Sequence, residues 1–345
     1  MEFTEKISVV MPTYNTPVPF LQEAVESILN QTFRDFEFII IDDGSTNESV
    51  EYLNRIRDKR VRIIRNPVNI GITKSLNIGF KAAKGKYIAR MDGDDVSLPE
   101  RFEKQYAFME SRPDVIVCGT RAAILGAEKS RVPKMEKEDM GYYRIRMLFQ
   151  NPGPSHPTAF FRHEKLLEHQ ILYDENLCYA QDYGMWSTVS QYGKVVTMKE
   201  VLVLRREHEN QISHAHRSRQ IECDEMTQKK LLTALLGSVT DEEIDLHHRC
   251  SARCYREEKI SPEIERWYDR LIRANHDKQI YPEKKLKKYI VYLKKELIWQ
   301  TFTKQMTKTE KTALFFRYLP FFSAVGASGE MVRLKIRGLM SGKKG

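Results

Sequence analysis

Three carboxylates fall within four positions at Asp92-Gly93-Asp94-Asp95. Like charges this close repel and raise one another's pKa, and a bound divalent cation removes the conflict. Hard oxygen ligands suit Mg²⁺ or Mn²⁺, whose usual partners are carboxylates together with substrate phosphates. Gly93 permits a tight turn and the close approach of a ligand. The competing reading is a solvated acidic turn, because Ser97-Leu98-Pro99-Glu100 is a good helix start.

A regular alternation of elements positions this cluster. Ile7-Ser8-Val9-Val10-Met11 is a β-branched run ended by Pro12, and it reads as a buried strand. Helical spacing follows over 18–31, with Phe20, Leu21, Val25, Ile28 and Leu29 on one face. Phe36–Ile41 is a second strand ending in Asp42-Asp43-Gly44-Ser45, and Val61–Arg65 a third. A helix from Asn69-Ile70-Gly71 through Lys84 leads to the strand Lys86–Arg90 and the acidic turn. Strands alternating with helices at this spacing imply a parallel sheet with right-handed crossovers, and ligands in such sheets bind at the carboxyl ends of the strands. Thr13-Tyr14, Asp42-Asp43 and Asp92–Asp95 each follow a strand, so three polar clusters converge on one sheet edge.

The ordered motifs Val-Val-Met-Pro-Thr-Tyr-Asn (9–15), Ile-Asp-Asp-Gly-Ser (41–45), Asn-Ile-Gly-Ile-Thr-Lys-Ser-Leu-Asn (69–77) and Asp-Gly-Asp-Asp (92–95) resemble those of the family 2 glycosyltransferases. The resemblance spans residues 6–213 and implies an α/β GT-A fold: a Rossmann-like, mostly parallel sheet with flanking helices. It further implies sugar transfer from a nucleotide-sugar donor, a UDP-sugar foremost, with inversion at the anomeric carbon and dependence on Mn²⁺ or Mg²⁺.

Carried onto this sequence, the resemblance makes Pro12, Thr13, Tyr14 and Asp43 nucleoside contacts, a carboxylate accepting from a base N–H and an aromatic ring offering a stacking face. Lys74 falls near the diphosphate, and equally fits a solvated helix lysine. Asp92, Gly93 and Asp94 form the Asp-x-Asp motif on the donor. Asp94 or Asp95 is the direct metal ligand, with His208 as a further metal or diphosphate ligand. Ala180-Gln181-Asp182-Tyr183 resembles the family's Glu-Asp motif, with Gln181 replacing Glu and Asp182 as the catalytic base. His156, Trp186 and Arg206 are assigned to acceptor or diphosphate, Trp186 fitting a core position as well. Arg205 stands where the family usually has Tyr. The charged segment 129–139 is a candidate lid.

The net charge of +9 is unevenly placed: residues 214–345 hold about 27 Lys and Arg against about 17 Asp and Glu. The expected division is a catalytic domain over 1–213 and a helical, basic C-terminal region over 214–345. Lys284–Lys295 mixes lysines with large apolar residues, as do Leu314–Phe322 and Arg333–Arg337, a composition suited to an anionic membrane surface. The competing reading is a basic helical subdomain packed on the catalytic domain. His247, His248, Cys250 and Cys254 lack a second ligand pair at zinc spacing and read as helix residues.

No run of about 18 uncharged apolar residues is present. The N-terminus lacks the pattern of a signal peptide, and five cysteines at irregular spacing read as reduced thiols. A cytoplasmic enzyme, peripheral on the inner face of the plasma membrane, is the expectation. Its acceptor would be a glycan or lipid-linked hydroxyl in surface polysaccharide synthesis. Nucleic acid is not an expected partner, because no known module accompanies the charge. Two other classes fit less well. A sugar-nucleotide nucleotidyltransferase needs a Gly-rich basic loop after the first strand, which Pro12-Thr13-Tyr14-Asn15 is not. A non-catalytic membrane-associated scaffold conflicts with the intact acidic residues.

Overall fold

The computed structural model describes residues 3–127, 139–207, 217–251 and 260–303. Residues 129–138 of the candidate lid, the tail 304–345 that carries Leu314–Phe322 and Arg333–Arg337, Cys254 and His208 lie outside the described residues.

Strand β1 (Glu5–Thr13) is buried without interruption from Ile7 onward. Both its faces are covered, which is why its sequence is a continuous apolar run and not an alternating one. It pairs in parallel with β2 (Phe36–Asp42) on one side and β4 (Gly85–Arg90) on the other, and β2 pairs in parallel with β3 (Val61–Arg65). The crossovers are α1 (Val18–Leu29), α2 (Ser49–Arg55) and α3 (Ile72–Ala82). Beyond β4 the sheet becomes mixed. The short β7 (Phe160–Arg162) is antiparallel to both β4 and β6 (Val115–Ile124). The long β8 (Lys194–Arg205) runs parallel to β6, and β5 (Val96–Ser97) closes the edge against β8. The order is β3-β2-β1-β4-β7-β6-β8-β5. The expected α/β, mostly parallel sheet with flanking helices is therefore present, with its antiparallel members confined to the half after the acidic turn.

Two apolar layers sandwich the sheet. Val9, Met11, Leu21, Val25, Phe38 and Phe102 belong to one. Val10, Leu76, Phe80, Ile88, Phe161 and Trp186 belong to the other. Each such side chain contributes about 1.5–3 kcal/mol on burial, so the strand ends that carry the polar clusters are held by a rigid frame.

α4 (Arg101–Ser111), α5 (Met140–Phe149), α6 (His163–Glu168) and α7 (Gln181–Val189) complete the first part of the chain. The described part of the C-terminal region is helical: α8 (Arg217–Leu236), α9 (Asp241–Arg249), α10 (Pro262–Lys278) and α11 (Glu283–Thr303). These helices share a core with α5, which inserts Ile145, Leu148 and Phe149 among Leu232, Trp267, Tyr268 and Leu293. The apolar residues of Lys284–Lys295 go to this core: Leu286, Tyr289, Ile290 and Leu293 are buried in it, and Tyr292 stays exposed. For that stretch, the apolar face offered to a membrane is spent on packing. Among the described residues, no helix is long and apolar enough to cross a membrane.

His247 sits at the centre of this helical core. Trp267 Nε1 donates to its Nδ1 at 3.1 Å, so Nε2 carries the ring hydrogen and donates to the Leu148 carbonyl at 2.8 Å. Both nitrogens are satisfied only in the neutral ring. Burial accordingly pulls the pKa from 6.5 down to about 4. A depressed histidine pKa contributes stability above the unfolded value and loses it on acidification, because the unfolded chain takes up the proton first. Urea unfolding is expected to show a loss approaching about 3 kcal/mol from this group between pH 6.5 and 4. The His247→Gln variant, which keeps a donor and an acceptor but does not titrate, should lack that component. An identical acid slope in the two proteins would refute the assignment.

Candidate active site

The loops after β1 and β2 are stitched together. Asn15 Oδ1 accepts from the Thr46 amide at 2.8 Å, and the Asn15 amide donates to Ser45 Oγ at 2.9 Å. Asn15 itself lies at φ 48°, a left-handed conformation that Asn tolerates. Gly44 lies at φ +74°, and a Cβ there would sit 2.5 Å from the Val68 backbone, so this turn requires glycine. The result is a fixed edge from which Tyr14 projects, half exposed.

Below that edge opens a cleft of about 250 Å³, lined by Pro12, Thr13, Tyr14, Asp43 and Lys74 among others. Five of the predicted donor residues thus meet in one cavity. Asp43 is more constrained than a free base-binding carboxylate. Its Oδ1 accepts from Asn66 Nδ2 at 2.8 Å and the Ile70 amide at 3.0 Å, and its Oδ2 accepts from the Gly71 amide at 2.9 Å. It therefore also anchors the loop that delivers the N-terminus of α3. Thr73 and Lys74, in the first turn of α3, border the same cleft, and Thr73 Oγ1 is buried without a hydrogen-bond partner among the described residues. Glu175, Cys178 and Tyr179 form a further wall that sequence reasoning did not anticipate. The segment before α7 carries no periodicity from which its position could be inferred.

The acidic turn abuts this cleft. Gly93 is buried, and a Cβ on it would lie 3.3 Å from Thr13 Oγ1. Asp92, Asp94 and Asp95 each offer an oxygen, all within 4.8 Å of one another. Two arginines missed in the sequence lie beneath them. Arg90, 2% exposed, grips Asp92 through two 2.5 Å contacts. Arg101, fully buried, donates to the Arg90 carbonyl at 2.7 Å and to Gln105 Oε1 at 2.9 Å, and burial pulls its pKa down to about 9. Asp92 is thus committed to Arg90. Burial pushes the Asp92 carboxyl upward, Arg90 opposes, and Asp94 adds to the rise.

Asp95 is driven up to about 8 by burial and by the charges of Asp92 and Asp94. The internal cations leave the cluster's repulsion only partly relieved, and the oxygen donor set fits a divalent ion. Arg206 closes the turn from β8: its amide donates to Asp95 Oδ1 at 2.9 Å and its Nε to the Asp94 carbonyl at 3.0 Å. Its guanidinium also pairs with Glu23 and lies 4.3 Å from the centre of the Phe20 ring. Arg206 thus clamps the acidic loop. Arg205 is exposed.

Asp182 lies in the first turn of α7, a favourable place for a negative charge. Asn151 Nδ2 donates to its Oδ2 at 2.9 Å, and the Tyr183 amide donates to its Oδ1 at 2.8 Å. Gln181 Oε1 is buried without a partner among the described residues. Burial raises the pKa of the Tyr173 phenol, Arg90 lowers it, and Asp182 and Asp92 both raise it. His156 Nε2 lies 2.8 Å from Tyr173 Oη. Trp186 corrects one expectation. It is fully buried and stacked on Phe161, ring centres 5.8 Å apart, so it belongs to the core and presents no face to an acceptor.

A polar cleft, an acidic turn at strand ends and a separate helix-borne carboxylate on this mostly parallel sheet fit a glycosyltransferase of the GT-A class. The solved structure of residues 1–349 of S. aureus TarS, determined with UDP, shares the fold at TM-score 0.55 and 20% identity, over 86% of this chain and 89% of that one. The sequence description "Glycosyl transferase family 2" matches residues 8–169. An uncharacterised glycosyltransferase of Haemophilus influenzae is 33% identical over 251 residues, 69% of this chain and 77% of the relative. The amylovoran biosynthesis glycosyltransferase AmsE of Erwinia amylovora is 30% identical over 201 residues, 57% of this chain and 74% of the relative. The chain belongs to glycosyltransferase family 2.

Proposed function

We propose that the enzyme is an inverting transferase that moves a sugar from a nucleoside diphosphate sugar, a UDP-sugar foremost, to a hydroxyl of a glycan or lipid-linked acceptor. The observation that carries this reading is the junction at Gly93. There the cleft holding Thr13, Tyr14, Asp43 and Lys74 meets the acidic turn.

In this reading the base stacks on Tyr14, and the diphosphate passes the first turn of α3 and Lys74 toward the carboxylates. Asp94 and Asp95 would hold a divalent ion, which supplies positive charge to the departing diphosphate. Asp182 takes the acceptor hydroxyl proton as that oxygen bonds to the anomeric carbon. The bond from that carbon to the diphosphate breaks on the opposite face, which inverts the centre. Arg206 holds the acidic loop in place.

A surface polysaccharide or lipid-linked oligosaccharide is the proposed product, a reading supported by the name that AmsE carries. The test is release of nucleoside diphosphate from a panel of sugar nucleotides, with Mn²⁺, Mg²⁺ or EDTA. Each donor is paired with a soluble glycan or with a polyprenyl-linked sugar in anionic vesicles. Metal-dependent release from one donor is expected. Absence of both turnover and donor binding across the panel would overturn the reading.

A further inference from the structure

Tyr173 lies in the connection between α6 and α7, where nothing regular would fix it, yet it is only 3% exposed. Asn77 of α3 accounts for this. Its Nδ2 donates to the Tyr173 carbonyl at 3.0 Å, and its Oδ1 accepts from the Tyr173 amide at 2.9 Å. The same Nδ2 reaches Glu175 Oε1, on the cleft wall, at 3.1 Å. The Tyr173 ring packs edge-on against Phe80, also of α3, with centres 5.2 Å apart. The helix that brings Lys74 to the donor cleft therefore also sets the place of Tyr173.

The Tyr173 hydroxyl has one hydrogen-bond partner among the described residues, His156 Nε2 at 2.8 Å. If Nε2 carried the hydrogen, the buried phenol proton would be left unpaired, at a cost. The arrangement that satisfies both groups has Tyr173 donating and Nε2 accepting. The single hydrogen of the neutral ring is then on Nδ1. The ring stands edge-on to Trp186, centres 6.1 Å apart, and is half-buried, and among the described residues Nδ1 has no hydrogen-bond partner. His156 opens the short turn before β7, where the Ala159 carbonyl accepts from the Arg90 amide at 2.9 Å, and its ring meets Trp186 of α7, the helix that carries Asp182.

We propose that Tyr173, held by Asn77, is a positioning residue that fixes His156 in the Nδ1–H tautomer, presenting a neutral hydrogen-bond donor to an oxygen of the bound substrates. The role in turnover rests on the transferase reading above; the tautomer does not. Two measurements test it. In the resting protein with ¹⁵N-labelled histidine, His156 should show a protonated Nδ1 and an unprotonated Nε2, and Tyr173→Phe should abolish that preference. A wild-type ring protonated at Nε2, or an unchanged tautomer in the variant, would overturn the proposal even if no donor is ever turned over.

In turnover, Tyr173→Phe should lower kcat about tenfold with donor KM and melting temperature near wild type. The same substitution made on a His156→Gln background should cost nothing further, because the group it positions is gone. An equal loss in both backgrounds would mean that Tyr173 acts independently of His156, and would sink the idea.

Discussion

Asp182→Asn is expected to reduce kcat by about 10²–10⁴-fold, the range a positioned general base supplies, while donor affinity stays at the wild-type level. The substitution is nearly isosteric. The new amide oxygen can still accept from the Tyr183 amide, which now bonds Asp182 Oδ1 at 2.8 Å. The new amide nitrogen would face Asn151 Nδ2, now the donor to Asp182 Oδ2 at 2.9 Å. Asn151 can turn its amide to accept instead, at the expense of the 3.0 Å bond its Oδ1 takes from the Gly153 amide. The fold has a local escape, so a large loss of activity would report lost basicity and not unfolding. Donor binding by calorimetry and nucleoside diphosphate release, measured on the same preparation, separate the two effects. Turnover within about threefold of wild type would remove Asp182 from the role of base, since loss of a positioned general base costs about 10²-fold or more.

The parts of the molecule legible in the sequence are those in which burial requires a particular residue type. β1, β2 and β4 are apolar runs because both faces of a parallel sheet are covered, and their carboxyl ends could be located before any coordinates. The Asp43 turn and the acidic turn followed from that placement. What stayed hidden was polar and buried. Arg90 looks like a strand-end residue facing water. Only the packing of α4 beneath it, with Arg101 bonded to its carbonyl, shows that it is the internal counter-charge of Asp92. Asn77 and Tyr173 are 96 positions apart, and no local pattern pairs them. Trp186 had the chemistry for a sugar platform and the size for a core; Phe161 stacked on it decides between them. β7 is three residues long, too short to declare its direction. The lysines of α11 advertised a surface, but the apolar residues between them serve the helical core.

Asp94→Ala should remove metal-stimulated turnover, about 10²-fold or more, because the metal offsets charge that develops only as the diphosphate leaves. Asp94 joins the Arg206 clamp through its carbonyl, which any side chain keeps, so its replacement tests the side-chain ligand. Asp92 is gripped by Arg90 on both oxygens, and Asp95 accepts the Arg206 amide on one. Replacing either would disturb the clamp as well as the ligand set. Asp94, like Asp92, is half-buried.

The proton provides a second, independent check. Asp95 holds its proton up to about pH 8, because burial and the charges of Asp92 and Asp94 disfavour its ionised form. A carboxyl must give up that proton to bind a cation. Metal affinity is therefore expected to weaken below pH 8, by at most about tenfold per unit, and one proton should be released per ion bound in the range where Asp95 is protonated. Titrating Mn²⁺ into the enzyme with nucleoside diphosphate, in buffers of differing ionisation enthalpy at pH 6 and 8, measures both quantities. Affinity independent of pH, with no proton released and turnover unchanged in Asp94→Ala, would place the metal elsewhere and leave the acidic turn a structural element held by its arginines.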